Sequence, residues 1–152
     1  MTEITEEWAR SALAGPELDR AVLMGFLGWI RHEFDDKAKP RESPIVSLAV
    51  PGWPSPDAPD SIFCTDDRDR RRCSWRRPHP VSTRWEFAGP LLEAMKADLL
   101  YYEQGWDCEV QPGPVCPANL LAEARVDDPC LAIARACAVL VARGISRYDI
   151  DP

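Results

Sequence analysis

The residues best suited to chemistry in this sequence are arginines. Seven of them (Arg68, Arg70, Arg71, Arg72, Arg76, Arg77 and Arg84) fall in one short segment that holds a single acid, Asp69. Trp75 lies inside the run and Trp85 beside it. Guanidinium forks bind phosphate and carboxylate bidentately, and tryptophan faces stack on bases or on other guanidiniums. Arg68, Arg70, Arg71, Arg72, Trp75, Arg76, Arg77 and Arg84 therefore form a candidate surface for an anion or for an acidic protein partner. The competing expectation is a solvated loop whose arginines pair with the chain's own acids, Asp66 and Asp67 being adjacent.

Six cysteines and two histidines are the second reactive set. Cys64, Cys73, Cys108, Cys116, Cys130 and Cys137 never form a CxxC pair, and zinc ligands usually come as closely spaced pairs. The spacing favours reduced thiols and no metal. It leaves open a zinc site built on Cys64, Cys73 and His79, or a disulfide between Cys64 and Cys73. A cysteine nucleophile needs a base beside it, and the histidines are His32 and His79. His32 follows an apolar helical stripe and His79 sits between Pro78 and Pro80, so both read as structural. The sequence contains no glycine-rich phosphate loop, no GxSxG elbow and no HExxH pair. These observations point away from an enzyme and imply no cofactor.

The chain that must position these groups has 152 residues, 45% of them hydrophobic, enough for one domain over 1–152 with a core. Its net charge is −7, but the arginine segment is +6, so the remainder, with 11 bases and 24 acids, is −13. An acidic balance of that size argues against general nucleic-acid binding, which needs a basic surface to displace counterions. No apolar run approaches the ~18 residues of a membrane span. The opening MTEITEEWAR is acidic where a secretory signal is basic and then apolar, which predicts an intracellular protein.

Patterning predicts a short helix over Thr5–Ala14, broken at Gly15-Pro16, and a second helix with Pro16 in its first turn. Leu18, Val22, Phe26 and Trp29 or Ile30 then form its buried stripe. Six of the fifteen prolines fall in Pro40–Pro59, around a strand candidate at Ile45–Val50, and an irregular insertion is expected at about 51–80. Ser82 reads as an N-cap, Thr83 with Glu86 has capping-box spacing, and the helix is expected to run through LLEAMKADL, with a kink at Pro90 or an N-terminal turn separated near Gly89. LLYYEQGWDCEV reads as a hairpin turning at Glu103–Gly105, and Leu120–Val126 as a third strand. The last helix starts at Asp127 or Asp128 with Pro129 in its first turn and stops at Gly144. Trp29, Leu91, Trp106, Ile133 and Leu140 are expected in the core. Helices interleaved with antiparallel strands give an α+β fold.

Three blocks in this order, GPELDRAVLMGFLGW, VSTRWEFAGPLLEAM, and GWDCEV followed by DDPCLAIARACAVLV, resemble the phage ABA sandwich domain family of small phage and prophage proteins. The resemblance covers about half of the chain. It implies an α/β/α sandwich, a small antiparallel sheet with helices on both faces, and a phage origin. It carries over no catalytic residue. Gly89-Pro90 interrupts a helix the family keeps whole, and the insertion at about 51–80 is longer than usual.

Charge and resemblance together predict an accessory binding protein in the cytoplasm of an infected bacterium. The first expectation is a counter-defence inhibitor, anti-CRISPR-like, that docks on a host defence protein or ribonucleoprotein complex with a basic channel. The alternatives are capture of a phosphorylated or nucleotide-like anion by the arginine–tryptophan segment, or a structural phage accessory role.

Overall fold

A computed structural model of the chain describes residues 3–34, 45–52, 71–102, 105–110, 120–121 and 126–150. Arg68, Arg70, Cys64 and Cys116, most of the proline-rich stretch and the hairpin turn lie outside the described residues.

Helix α1 (Glu6–Ser11) is capped by Thr5, whose hydroxyl oxygen accepts from the Trp8 N–H at 3.1 Å. Helix α2 (Pro16–Ala21) begins on proline, as its sequence predicts, and widens into a π-helical stretch at Val22–Phe26. Leu18, Val22 and Phe26 are buried, so the stripe is correct. The helix ends earlier than its spacing suggests. Gly28 adopts φ +76°, a left-handed conformation that glycine enters without strain, and the chain reverses there. Ile30–Phe34 is consequently a strand, β1, and His32 sits on it rather than behind a helix.

Strand β1 pairs antiparallel with β2 (Ile45–Ala49), which pairs with β3 (Arg72–Ser74). The insertion expected at about 51–80 is thus not irregular throughout: its described part contains a sheet strand, with Arg72 opposite Ala49. Helix α3 (Trp85–Met95) starts later than expected, and its N-cap, Arg84, makes no side-chain capping bond. Pro90 lies inside it and the helix continues across. It stops at Met95 because Lys96 takes φ 53°, so the expected extension through Leu99 is replaced by β4 (Ala97–Tyr102). The hairpin of β4 with β5 (Gly105–Val110) forms in the predicted place, and β6 (Leu120–Leu121) joins it, with an isolated bridge from Val126 to Trp106. The architecture is α+β, with two three-stranded antiparallel sheets where one was expected. The second sheet arises because the early turn at Gly28 frees Ile30–Phe34 as β1, which pairs with β2 and leaves the hairpin in a sheet of its own.

Helix α4 (Pro129–Ala142) is the centre of the molecule. Asp128 caps it, its Oδ1 accepting from the Cys130 N–H at 2.8 Å. Helices α1, α2 and α3, the π-helical stretch and strand β5 all pack on it. Its burial therefore extends beyond a single face of Cys130, Ile133, Cys137 and Leu140 to Ala132, Ala134, Ala136, Ala138 and Val139. The approach is closest at Gly25, where a Cβ would stand 2.5 Å from a Val141 methyl. The described residues close with α5 (Arg147–Ile150), which buries none of its residues, although the exposed Tyr148 ring lies against Gly28. Trp29, Leu91, Ile133 and Leu140 are buried as expected. Trp106 is only half-buried, its ring centroid 4.9 Å from that of exposed Tyr101. No helix among the described residues is long and apolar enough to cross a membrane.

Two outcomes follow from this packing. Ile133 has no exposed surface, so Ile133→Ala should lower stability by about 2–5 kcal/mol in denaturant titration, the usual loss for a large-to-small change in a tight core. Glu6 ties α1 to the end of α4: its carboxylate accepts two bonds from Arg143, at 2.9 and 3.2 Å, and one from Arg10 at 2.9 Å. Arg143 first and Arg10 second hold the Glu6 carboxyl down to about 2. Its contribution is present above the unfolded carboxyl value of about 4.3 and is lost as pH falls toward 2. Because the Glu6 side chain is 39% exposed and that of Arg143 32%, Glu6→Gln should cost no more than about 1 kcal/mol at pH 7. Wild type and variant should converge near pH 2.

Candidate functional site

After β3 the chain runs irregularly to α3, and a buried polar junction holds it in place. The carboxylate of Asp19, on α2, accepts the Ser82 N–H at 2.9 Å, and the Ser82 hydroxyl accepts the Gly15 N–H at 3.1 Å. Asp19 is 3% exposed and Ser82 not at all. Around the Pro80 carbonyl the chain tightens further, accepting from the N–H groups of Thr83 and Arg84 at 3.2 and 3.0 Å. Ser82, read from sequence as a helix cap, is instead the pin between this turn and the start of α2.

The junction shapes a cleft of about 620 Å³. Arg76, Arg77 and Arg84 line it, with Thr83 beside them and Pro16 opposite on α2. Its apolar wall is the ring of Phe87, stacked on His79 at 4.6 Å, and His79 in turn meets the edge of Trp29 at 5.5 Å. Arg84 makes an ion pair with Glu86 at 2.7 Å between exposed side chains, a contact worth under about 1 kcal/mol. Arg76 and Arg77 are exposed, and no carboxylate among the described residues pairs with either. Three guanidiniums thus face one cleft against the carboxylates of Glu86 and Asp19.

The structure separates the remaining members of the arginine–tryptophan run from this cleft. Arg71 is exposed ahead of β3, its carbonyl accepting from the Val50 N–H at 2.9 Å. Arg72 is drawn into the sheet by its pairing with Ala49 and is 6% exposed. Trp75 turns to the other side of the strand end. The guanidinium of Arg20 lies 5.1 Å from its ring and that of Arg31 4.9 Å, while Arg20 also donates to the Trp75 carbonyl at 2.9 Å. Tryptophan and cleft arginines therefore do not form one surface. Arg68 and Arg70 lie outside the described residues.

The four described thiols are poor nucleophiles. Burial pushes Cys73 and Cys130 up to about 11 and Cys108 up to about 12, and raises Cys137 well above the usual thiol range. At neutral pH all four hold their protons, and the thiolate is the reactive form. The Cys137 thiol donates to the Met95 sulfur at 3.5 Å, inside the core. Cys73, Cys108, Cys130 and Cys137 are free, and among the described residues no three His, Cys, Asp or Glu side chains gather as a metal site would require.

Sequence reasoning missed Asp19 and the Phe87–His79 wall. The signal for Asp19 was present: it is three residues before Val22 and seven before Phe26, on the edge of the buried stripe rather than on the solvent face. Burial raises the Asp19 carboxyl, opposed by the hydrogen bonds from Ser82 and by the charge of Arg20. A carboxyl raised on folding keeps its proton preferentially in the folded state. Its contribution is therefore fullest below the unfolded value of about 3.9 and declines as pH rises through the folded value. Asp19→Ala should cost about 1–3 kcal/mol by leaving the buried Ser82 N–H without an acceptor. Asp19→Asn keeps an acceptor, should cost less, and should flatten that part of the stability–pH curve in denaturant titrations from pH 4 to 7.

No family model, curated protein or solved structure matches the chain.

Proposed function

We propose that this is a non-enzymatic phage accessory protein that captures a phosphorylated or nucleotide-type anion in the cytoplasm of an infected bacterium. One observation carries the anion reading: Arg76, Arg77 and Arg84 converge on a single cleft with an aromatic wall. Guanidiniums suit phosphate geometry, and the Phe87 side suits the flat body of a base. Among the described residues no activated nucleophile stands beside the cleft, and the reading is accordingly sequestration. The phage setting rests on the sequence resemblance alone.

The inhibitor reading, a protein that docks on a bacterial immune complex through acidic surface, is favoured by the −13 balance outside the arginine segment. Among the described residues the exposed acids are distributed over many elements, Glu7 on α1, Glu17 on α2, Glu33 on β1, Glu93 on α3 and Asp98 on β4. The convergence of three arginines on one cleft gives ligand capture the more specific geometric support.

A thermal-shift panel of mono-, di- and cyclic nucleotides and pyrophosphate separates the two readings. A ligand at a hundredfold excess over its Kd stabilises by about 2.7 kcal/mol through mass action. The shift should shrink with added salt and disappear in the variant Arg76→Ser/Arg77→Ser/Arg84→Ser, which should itself stay folded. No shift with any anion, combined with specific recovery of an immune protein from host lysate, would favour the inhibitor.

A further inference from the structure

On the far side of Trp75 a second cleft, about 520 Å³, opens between the start of the chain and α2. Its walls are apolar: Trp8, Trp29, Met24 and Val141. Its floor is bare backbone at Gly25, where Val141 leaves no room for a Cβ, and the π-helical stretch Val22–Phe26 runs beneath it. Such π-turns recur at functional sites because they re-aim side chains that an α-helix would point elsewhere.

The charge at this cleft is the reverse of that at the arginine cleft. Exposed Glu3 and Glu17 stand on it, and the positive group there, Arg20, is already engaged with the ring and carbonyl of Trp75. Trp75 shows how a tryptophan here is used, because two guanidiniums rest near its ring. Trp8 is half-buried on the same cleft, and among the described residues no cation sits over it.

We propose that this cleft binds a small organic cation with an apolar body, the body against Met24, Val141 and Trp29 and the ammonium over Trp8 between Glu3 and Glu17. Aromatic faces attract cations through their quadrupole, and the two carboxylates select positive charge over neutral or negative analogues of the same shape. The site is distinct from the anion cleft and does not depend on it.

Isothermal titration with benzyltrimethylammonium, benzyl alcohol and benzoate tests the charge rule, since the three share a benzyl-sized body. The cation should bind tightest and benzoate weakest. Glu3→Gln/Glu17→Gln should weaken the cation about 3–10-fold, the effect of one or two exposed cation contacts, and leave benzyl alcohol unchanged. Trp8→Leu should weaken the cation by a similar factor. Both glutamates are exposed, so the double variant remains informative if Trp8→Leu does not fold. Benzoate binding as well as the cation, or no saturable binding of benzyltrimethylammonium, would overturn the proposal. So would a hexalysine peptide that binds the wild type and Trp8→Leu equally while the small cation does not bind, because the feature would then be a mere acidic patch.

Discussion

The polar contact that pins the arginine cleft to α2 is the carboxyl of Asp19 against the backbone of Ser82. The connection between β3 and α3 is anchored by buried Pro78, His79 and Val81, while Arg76 and Arg77 within it are exposed. A charged group is costly to bury unless its acceptors are used, and here the carboxylate is satisfied by a backbone donor that would otherwise be orphaned. The same serine returns a second bond to Gly15, so one residue closes both ends of the junction. The direction of the Asp19 shift records the balance. Burial dominates, and the bonds from Ser82 recover part of what burial takes.

That junction can be narrow because α4 carries most of the packing. A helix with apolar residues on several faces cannot lie on the surface, and α4 accordingly receives helices and strand β5 around it. Its alanines let those neighbours come close, and Gly25 leaves room for Val141 on the π-helical stretch. The consequence reaches the second cleft directly. With Val141 against the backbone of Gly25, the helix surface there is stripped of side chains, and a hollow remains between Trp8 and Trp29.

Features that depend on a few neighbouring residues were legible in the sequence. Asp128-Pro129 with Gly144 defines α4 because cap, first-turn proline and glycine stop act within their own turns. The β4–β5 hairpin was legible for the same reason. Ser82 was not. Its local context reads as a helix cap, but its partners Asp19 and Gly15 are 63 and 67 residues away, and no local rule reports a bond of that span. The end of α2 and the end of α3 were misplaced for a related reason. A stripe and good propensity continue past Phe26 and Met95, while the backbone turns at Gly28 and Lys96 under constraints set by the sheets. The candidate site was legible as composition and not as direction: the run of arginines was visible, and which of them would face a common cleft was not.

Direction is set by β3. A three-residue strand suffices to draw Arg72 into the sheet and to send Trp75 to one side of the strand end and Arg76 and Arg77 to the other. A run that reads as one basic, aromatic patch is thereby divided. The tryptophan joins a hollow edged with glutamate, and the arginines join a hollow edged with a stacked histidine and phenylalanine. Had the segment stayed a free loop, its charges would have been screened individually and its ring left to solvent. Paired to β2, it presents opposite charge preferences on two sides of a strand end, which is a more selective arrangement than its net charge implies.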